Sequence, residues 1–290
     1  MFRIENDYLK VGILAQGAEL CSIVKRQTGN EYSWQADPDI WANHSPILFP
    51  IVGGLKKGSY SYEGKNYFLP RHGFVRGNNN IIVTDRTENS LTFSLTHSEE
   101  TLKNYPFPFR LDISYLLKQN TLAVTHKVYN PGEKPLYFSL GGHPAFNVPL
   151  IAGEEYDDHY LEFDRNLDLE TNLLTEEGLI SSGTRKVIEN ESRINLNKDL
   201  FNKDALIFRN INSKNVSLVS KKSGKILSVE YSDFKDLGIW AKPAAPFVCI
   251  EPWLGHADIE NTTGDIKTKE GIIELMPSAE FSASYTITIE

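Results

Sequence analysis

The chain has 290 residues, of which 40% are hydrophobic and 23% charged, a composition typical of a globular protein with a substantial core. Its formal net charge of -8 argues against a nucleic-acid partner, because binding to a phosphate backbone needs clustered Lys and Arg. Cys21 and Cys249 lack metal-ligand spacing and form no disulfide framework. With no apolar run near ~20 residues and no apolar signal region at the N-terminus, we expect a cytoplasmic protein without a membrane partner.

Two hairpins are predicted near the start of the chain. Residues 8–14 and 17–26 are expected to pair with Gly17 near the turn, and residues 59–69 to form a second hairpin turning at Glu63-Gly64. Between them, residues 31–47 are rich in Trp, Asp and Pro, which favours irregular structure.

Alternating apolar and polar residues then predict half-buried strands at 91–95, 111–117 and 122–128. A short helix is expected within 96–104, and the polar stretch 151–200 suggests long loops with short strands. Strand patterns return at 205–209, 216–220, 225–232, 237–241, 247–251 and 280–290. We therefore predict an all-β fold, a single large antiparallel β-sandwich domain over residues 1–290, with two smaller β domains as the alternative.

A lone histidine stands in a rigid turn at 140–149, LGGHPAFNVP. The two glycines before His143 allow a sharp turn or a close backbone approach, and Pro144 biases His143 toward an extended conformation. Such a turn can hold an imidazole still as a proton donor or acceptor. An ordinary turn that contains a histidine is the alternative interpretation.

Two further strand ends carry polar side chains. His72 lies in PRHGFVRG between Arg71 and Arg76, where it either contacts an oxygen-rich ligand or stays solvated. Glu251 ends the apolar stretch FVCIE, which we expect to be buried on both faces. A buried carboxylate would have a raised pKa and serve as a base, or it would bond backbone amides instead. Trp253 offers an apolar face on which a sugar can stack.

The remaining polar residues give weaker signals. Asp204 precedes the apolar stretch ALIF, where an ordinary turn acid is the favoured interpretation. His126 lies on an apolar stripe and is predicted to be a core histidine with satisfied hydrogen bonds. Without an HExxH, CxxC, GxSxG or phosphate-cradling motif, we predict no metal, no cofactor and no Ser-His-Asp hydrolysis. His72 and His143 are a conceivable metal pair, but no third ligand supports them.

Five blocks, taken together, resemble the aldose 1-epimerase, or galactose mutarotase-like, family. They are LFPIVGG (48–54), LPRHGFVR (69–76), LGGHPAFNVP (140–149), DALIF (204–208) and CIEPWLGHAD (249–258). They occur in the family's order over most of the chain, and the HGF, GGHPAF and EPW blocks are similar to those of its LacX-like bacterial branch. The family fold is a large single-domain β-sandwich, which agrees with the strand pattern.

The resemblance implies interconversion of the α and β anomers of a hexose or related sugar, without a cofactor. His143 matches the histidine that protonates the ring oxygen, and Glu251 the glutamate that takes the proton of the C1 hydroxyl. His72 matches a second, substrate-binding histidine, and Asp204 an aspartate that holds sugar hydroxyls. Ring opening needs one proton delivered and one removed in a single site, which an imidazole and a carboxylate with tuned pKa values can do.

One family feature is absent. Galactose mutarotases carry a sugar-binding arginine in the glycine-rich segment, where this chain reads VGGLKKG. Lys56 or Lys57 is a candidate replacement, although lysine lacks the planar fork of donors. Arg76 resembles a basic residue of relatives that act on hexose 6-phosphates, and with Arg71 and the two lysines it is a candidate for holding a phosphate.

The expected partner is thus a small-molecule sugar, and the expected assembly a monomer or homodimer. One alternative is a hexose-6-phosphate 1-epimerase. Another is a carbohydrate-binding or sensing β-sandwich without turnover, against which the intact His143 and Glu251 argue. A glycosidase using Glu251 and Asp204 is more remote, since it would need a cleavable disaccharide.

Overall fold

The computed structural model describes residues 1–290 and is built from antiparallel strands. The strands are, in chain order, β1 (Phe2–Glu5), β2 (Leu9–Ile13), β3 (Leu20–Lys25), β4 (Ile47–Leu48), β5 (Ser59–Tyr62), β6 (Lys65–Phe68), β7 (Ile82–Arg86), β8 (Ser90–Thr96), β9 (Arg110–Lys118), β10 (Thr121–Tyr129), β11 (Leu136–Phe138), β12 (Leu140–Gly142), β13 (Ala145–Asn147), β14 (His159–Leu174), β15 (Ile180–Asn195), β16 (Leu206–Phe208), β17 (Asn215–Ser220), β18 (Gly224–Glu230), β19 (Asp236–Trp240), β20 (Phe247–Leu254), β21 (Ile273–Leu275) and β22 (Glu280–Ile289). One α-helix, α1 (Glu99–Asn104), and four 3-10 turns (Gln16–Ala18, Lys56–Gly58, Tyr156–Asp158 and Ile266–Thr268) complete the chain.

Two large sheets form the sandwich. The larger has nine strands in the order β15-β14-β17-β18-β22-β10-β9-β8-β7. The smaller has the order β16-β19-β20-β12-β4, with β13 also paired to β20. Inward-facing residues of both sheets belong to one cluster of 71 buried hydrophobic residues. The prediction of an all-β antiparallel sandwich is confirmed.

The regular alternation of the sequence translates directly into half-buried strands. β9 and β10 alternate buried and more exposed residues along their whole lengths, and they pair with each other and with β8 and β22. Both predicted hairpins are present as β2–β3 and β5–β6. The second turns at Glu63 and Gly64, both with positive φ, as a two-residue hairpin turn requires.

The expectation of loops and short strands over 151–200 is wrong. This region holds β14 and β15, two strands of 16 residues each. β15 is an edge strand with mostly partly or fully exposed residues, and the β14–β15 pairing contains register shifts. β14 does carry a period-two apolar stripe, at Leu161, Phe163, Leu167 and Leu169, which the polar residues around it obscured. β15 has few apolar residues and therefore no such stripe.

The short helix lies within the predicted range. Ser98 caps α1 by accepting a hydrogen bond from the Thr101 N–H, and the Thr101 hydroxyl accepts one from the Ser98 N–H in return. No helix in the structure is long and apolar enough to pass through a membrane.

His126 is a core residue, as predicted, but its hydrogen bonds are not satisfied. Its ring is fully buried and stacks at 5.9 Å on Tyr285, and neither ring nitrogen has a hydrogen-bond partner. Burial lowers the pKa of His126 to about 4, although the nearby backbone of Ala283 offsets part of this effect.

Candidate active site

An interruption in one β-ladder of the smaller sheet creates the site. β12 and β13 both pair with β20, at Gly141↔Trp253 and at Ala145↔Cys249. Between them the chain passes through His143 and Pro144. The two ladders keep the same register, so His143 lies opposite Glu251 where the pairing is broken. The turn predicted from the GGHP sequence therefore aims an imidazole at the carboxylate of the neighbouring strand.

His143 and Glu251 form a close, buried pair. His143 Nε2 lies 3.2 Å from Glu251 Oε2, and the two residues are 9% and 1% exposed. β20 is buried along its whole length, as expected, but continues beyond Glu251 to Leu254. Neither Glu251 oxygen accepts a hydrogen bond from a backbone amide, so the alternative interpretation of Glu251 does not hold.

Burial also sets the protonation of this pair. It raises the pKa of Glu251 well above its usual range, while the Arg71 charge and the nearby Trp253 N–H oppose part of the rise. It lowers the pKa of His143 to about 3. Both shifts disfavour charge, so burial favours a protonated Glu251 carboxyl group beside a neutral His143 imidazole, and the carboxyl proton is the one that the pair can share.

Trp253 lies beside the pair because its neighbours are glycines. A Cβ at Gly141 would lie 2.7 Å from the Trp253 ring, and one at Gly238, on the other side, 2.5 Å. These two strand positions must therefore lack a side chain for the indole to fit. The Trp253 N–H approaches Glu251 without completing a hydrogen bond, so this buried donor has no partner.

His72 is held by two hydrogen bonds to one glycine. The His72 N–H donates to the Gly53 carbonyl at 2.9 Å, and the Gly53 N–H donates to His72 Nδ1 at 3.2 Å. Nδ1 is thus an acceptor, and the neutral ring carries its proton on Nε2. Burial, followed by competition with the neighbouring His143 ring for a proton and by the Arg71 charge, lowers the pKa of His72 well below its usual value. His72 itself has a φ of 67°, a strained conformation for a non-glycine residue.

Aromatic rings form one wall of the site. Trp41 stacks on the His143 ring at 5.0 Å, and Trp240 meets the same ring edge-on at 6.0 Å. Both tryptophans are partly buried. Flat indole faces beside polar groups suit a sugar, which presents apolar C–H faces and polar edges.

The lining of the cavity also includes polar and basic residues. Arg71, Arg76 and Asp204 are exposed residues that line the cavity. Arg76 Nε donates to Asn43 Oδ1 at 3.0 Å, and neither arginine forms a salt bridge. Asp204 has a φ of 75° and accepts a hydrogen bond from the Ala205 N–H at 2.7 Å, so it also behaves as a turn acid.

The lysines suggested as substitutes for the family arginine lie elsewhere. Lys56 Nζ donates to the Glu260 carbonyl at 2.6 Å, and Lys56 and Lys57 line a separate cleft with Ser59 and Asn66. The guanidinium groups that reach the cavity are those of Arg71 and Arg76. The expectation that a lysine takes the place of the missing arginine is therefore wrong.

The structure brings all six predicted site residues around one cavity of about 280 Å³: His143, Glu251, His72, Asp204, Arg76 and Trp253. This volume is near the lower end for small-molecule sites and suits a monosaccharide. Ligand atoms of His143, Cys249 and Glu251 lie within 4.8 Å of one another. Burial raises the pKa of the Cys249 thiol well above its usual value.

Sequence reasoning missed Trp41 and Trp240 as site residues. Trp41 lies in the irregular segment 31–47, and Trp240 ends β19. The chain has four tryptophans, and three of them line the cavity. The rarity of tryptophan is the only signal in the sequence that singles these residues out. Tryptophan is equally common in cores, so the signal alone does not separate the two roles.

Comparisons with known proteins identify the family of the chain. A sequence model described as aldose 1-epimerase matches residues 1–274. The chromosomal LacX protein of Lactococcus lactis subsp. lactis is 36% identical over 99% of this chain and 98% of its own length, and the plasmid-encoded LacX protein shows the same values.

Two solved structures are similar over the whole chain. The galactose mutarotase related enzyme from Lactobacillus acidophilus has a TM-score of 0.93 at 37% identity, covering 100% of this chain and 97% of its own. A galactose mutarotase-like protein from Lactobacillus casei also has a TM-score of 0.93, at 32% identity and 100% coverage of both chains. The family model, the LacX relatives and the shared fold confirm the predicted resemblance, and the chain belongs to the aldose 1-epimerase family of isomerases.

Proposed function

We propose that this protein interconverts the α and β anomers of a hexose or related sugar, with His143 and Glu251 as the proton-transferring pair. The observation that carries the proposal is the position of these two groups, 3.2 Å apart and buried in one cavity. Hemiacetal opening delivers a proton to the ring oxygen and removes one from the C1 hydroxyl. A pair that shares a single proton supplies what both steps need.

The reaction follows from this shared proton. Transfer of the proton from Glu251 to His143 Nε2 gives an imidazolium beside a carboxylate. With a sugar bound against both groups, His143 protonates the ring oxygen while Glu251 takes the proton of the C1 hydroxyl. The C1–ring oxygen bond breaks and a carbonyl forms at C1. After rotation about C1–C2, the two groups exchange roles and the ring closes to the other anomer.

The other cavity residues bind and orient the sugar in this proposal. His72 donates from Nε2, since its Nδ1 is occupied by the Gly53 N–H. Asp204 accepts hydrogen bonds from sugar hydroxyls. Trp253, Trp41 and Trp240 cover the apolar faces, and this cover keeps water from competing for the transferred protons.

Two unpaired arginines favour a second candidate, the same chemistry on a phosphorylated sugar. Arg71 and Arg76 line one side of the cavity without a carboxylate partner, in a chain whose net charge is -8. A guanidinium pair of this kind binds phosphate by charge-assisted hydrogen bonds. A phosphate at C6 of a hexose, far from C1, is the group we assign to this side.

Anomer exchange measured by NMR tests the proposal. Wild-type protein is mixed with galactose, glucose and glucose 6-phosphate, and the exchange rate of the anomeric signals is compared with that in buffer. We expect accelerated exchange for at least one sugar, and the ranking separates the two candidates. Binding without acceleration of any of these sugars would favour a sugar-binding role without turnover.

A further inference from the structure

A buried ion pair lies behind the site. Lys269 Nζ donates to Asp258 Oδ1 at 2.9 Å, and the two side chains are 4% and 3% exposed. Lys269 also donates to the carbonyl of His256 at 2.8 Å. Neither Asp258 nor Lys269 lines the cavity. Buried charges are costly unless fully bonded, so a pair outside the site calls for a structural explanation.

Asp258 forms two hydrogen bonds with the glycine-rich segment, residues 53–56. Its Oδ2 accepts from the Lys56 N–H at 2.9 Å, and its own N–H donates to the Gly54 carbonyl at 2.9 Å. The adjacent Ala257 packs so closely on Gly53 that a Cβ there would lie 2.6 Å away. Gly53 has a φ of 72°, a conformation that glycine adopts without strain but that a side chain at this position would disfavour.

This segment decides which nitrogen of His72 carries the proton. The Gly53 N–H donates to His72 Nδ1, and the His72 N–H donates to the Gly53 carbonyl. If the peptide group that carries the Gly53 N–H rotated, His72 Nδ1 would lose its hydrogen-bond donor. The ring proton could then lie on Nδ1 in place of Nε2. Nε2 would then present a lone pair to the cavity in place of an N–H.

We propose that Asp258, neutralised by Lys269, is a positioning residue that holds the Gly53 peptide and thereby keeps His72 in the Nε2–H form that donates to the sugar. This inference rests on the proposed sugar-binding role of His72. Asp258 acts through the 54–56 backbone and never touches the substrate.

Two double variants isolate the Asp258 acceptor, and a third is held in reserve. Asp258→Ala/Lys269→Met removes both buried charges and the acceptor of the Lys56 N–H. Asp258→Asn/Lys269→Met removes the same charges but keeps an oxygen in that place. Asp258→Ser/Lys269→Met, whose hydroxyl is too short to reach the Lys56 N–H, replaces the alanine variant if that protein does not fold. Glu154→Gln is the matched control, since Glu154 lies 3.1 Å from His159 in a buried pair that does not line the cavity.

The first readout is the tautomer of His72, from two-bond ¹H–¹⁵N spectra of ¹⁵N-histidine-labelled protein. We expect Nε2–H in the wild type, the asparagine variant and Glu154→Gln, and a population of Nδ1–H in the alanine or serine variant. This measurement needs no turnover, so it tests the inference even if anomer exchange is not detected. A wild-type ring protonated on Nδ1, or an unchanged tautomer in the alanine and serine variants, would overturn it.

The second readout is the division of the effect between KM and kcat. Loss of one hydrogen bond to the sugar should raise KM about tenfold in the alanine or serine variant with a smaller change in kcat, and the asparagine variant should recover most of it. An equal loss in the asparagine variant would assign the effect to the lost charges and reject the positioning role. A similar loss in Glu154→Gln would mean that any buried pair has this effect, which also contradicts the inference.

Discussion

The buried histidine of the core predicts how stability depends on pH. His126 is fully buried without a hydrogen-bond partner, and burial lowers its pKa to about 4, whereas a histidine in the unfolded chain titrates near 6.5. Between these two values the unfolded state binds a proton that the native state does not bind. The free energy of unfolding therefore falls as the pH drops below 6.5.

The magnitude follows from the two pKa values. One unit corresponds to about 1.4 kcal/mol, so lowering the pH from 7.5 to 5 should remove about 2 kcal/mol of stability through His126 alone. The substitution His126→Leu, of similar volume, abolishes this contribution. The other buried histidines titrate in both proteins, and their effects cancel in the difference.

Urea unfolding followed by tryptophan fluorescence measures this difference. We expect His126→Leu to be at least as stable as the wild type at pH 7.5, since the two unbonded nitrogens are gone. At pH 5 the advantage of the variant should grow by about 2 kcal/mol. A stability difference that is the same at both pH values would refute the assignment of a neutral, unpaired His126.

Three further predictions concern the cavity. Arg76→Ala should weaken binding of glucose 6-phosphate by about 10–100-fold while leaving glucose nearly unchanged, because only the phosphate uses its charge; equal losses in calorimetry would reject this role. The kcat/KM of the wild type should fall at alkaline pH as the His143–Glu251 pair loses its shared proton, and Arg71→Ala should move this limb to higher pH because Arg71 lowers the pKa of Glu251. An unshifted limb would show that Arg71 does not act on the pair. Gly238→Ala places a Cβ 2.5 Å from the Trp253 ring and should displace the indole, reducing sugar affinity about tenfold; wild-type affinity with an unchanged Trp emission spectrum would contradict the packing argument.

Local patterns in the sequence were sufficient for much of the fold. The period-two stripes of β8, β9 and β10 gave their burial directly, and the Glu63-Gly64 turn gave its hairpin. β14 was missed although Leu161, Phe163, Leu167 and Leu169 form a period-two stripe, because the polar residues around the stripe resemble a loop. β15 is the edge strand beside it and has few apolar residues, so its sequence carries no comparable stripe.

The site shows the same division between local and long-range information. The GGHP turn and the apolar strand around Glu251 predicted where His143 and Glu251 would lie, but not that a shared register on both sides of a break sets them opposite each other. Lys56 and Arg71 are both basic residues near glycines, and only the tertiary contacts decide which of them faces the cavity. Trp41 reaches the site from an irregular segment, whose path no periodicity describes.

The most direct test of the central claim compares wild-type protein with Glu251→Gln in the anomer exchange experiment. Glutamine keeps the shape of the side chain but cannot take the proton of the C1 hydroxyl. We predict that exchange of the preferred sugar at pH 7 slows by about 10²–10⁴-fold while its dissociation constant changes little, as expected for the loss of a general base. Unchanged exchange in Glu251→Gln would remove Glu251 from the reaction and contradict the proposed mechanism.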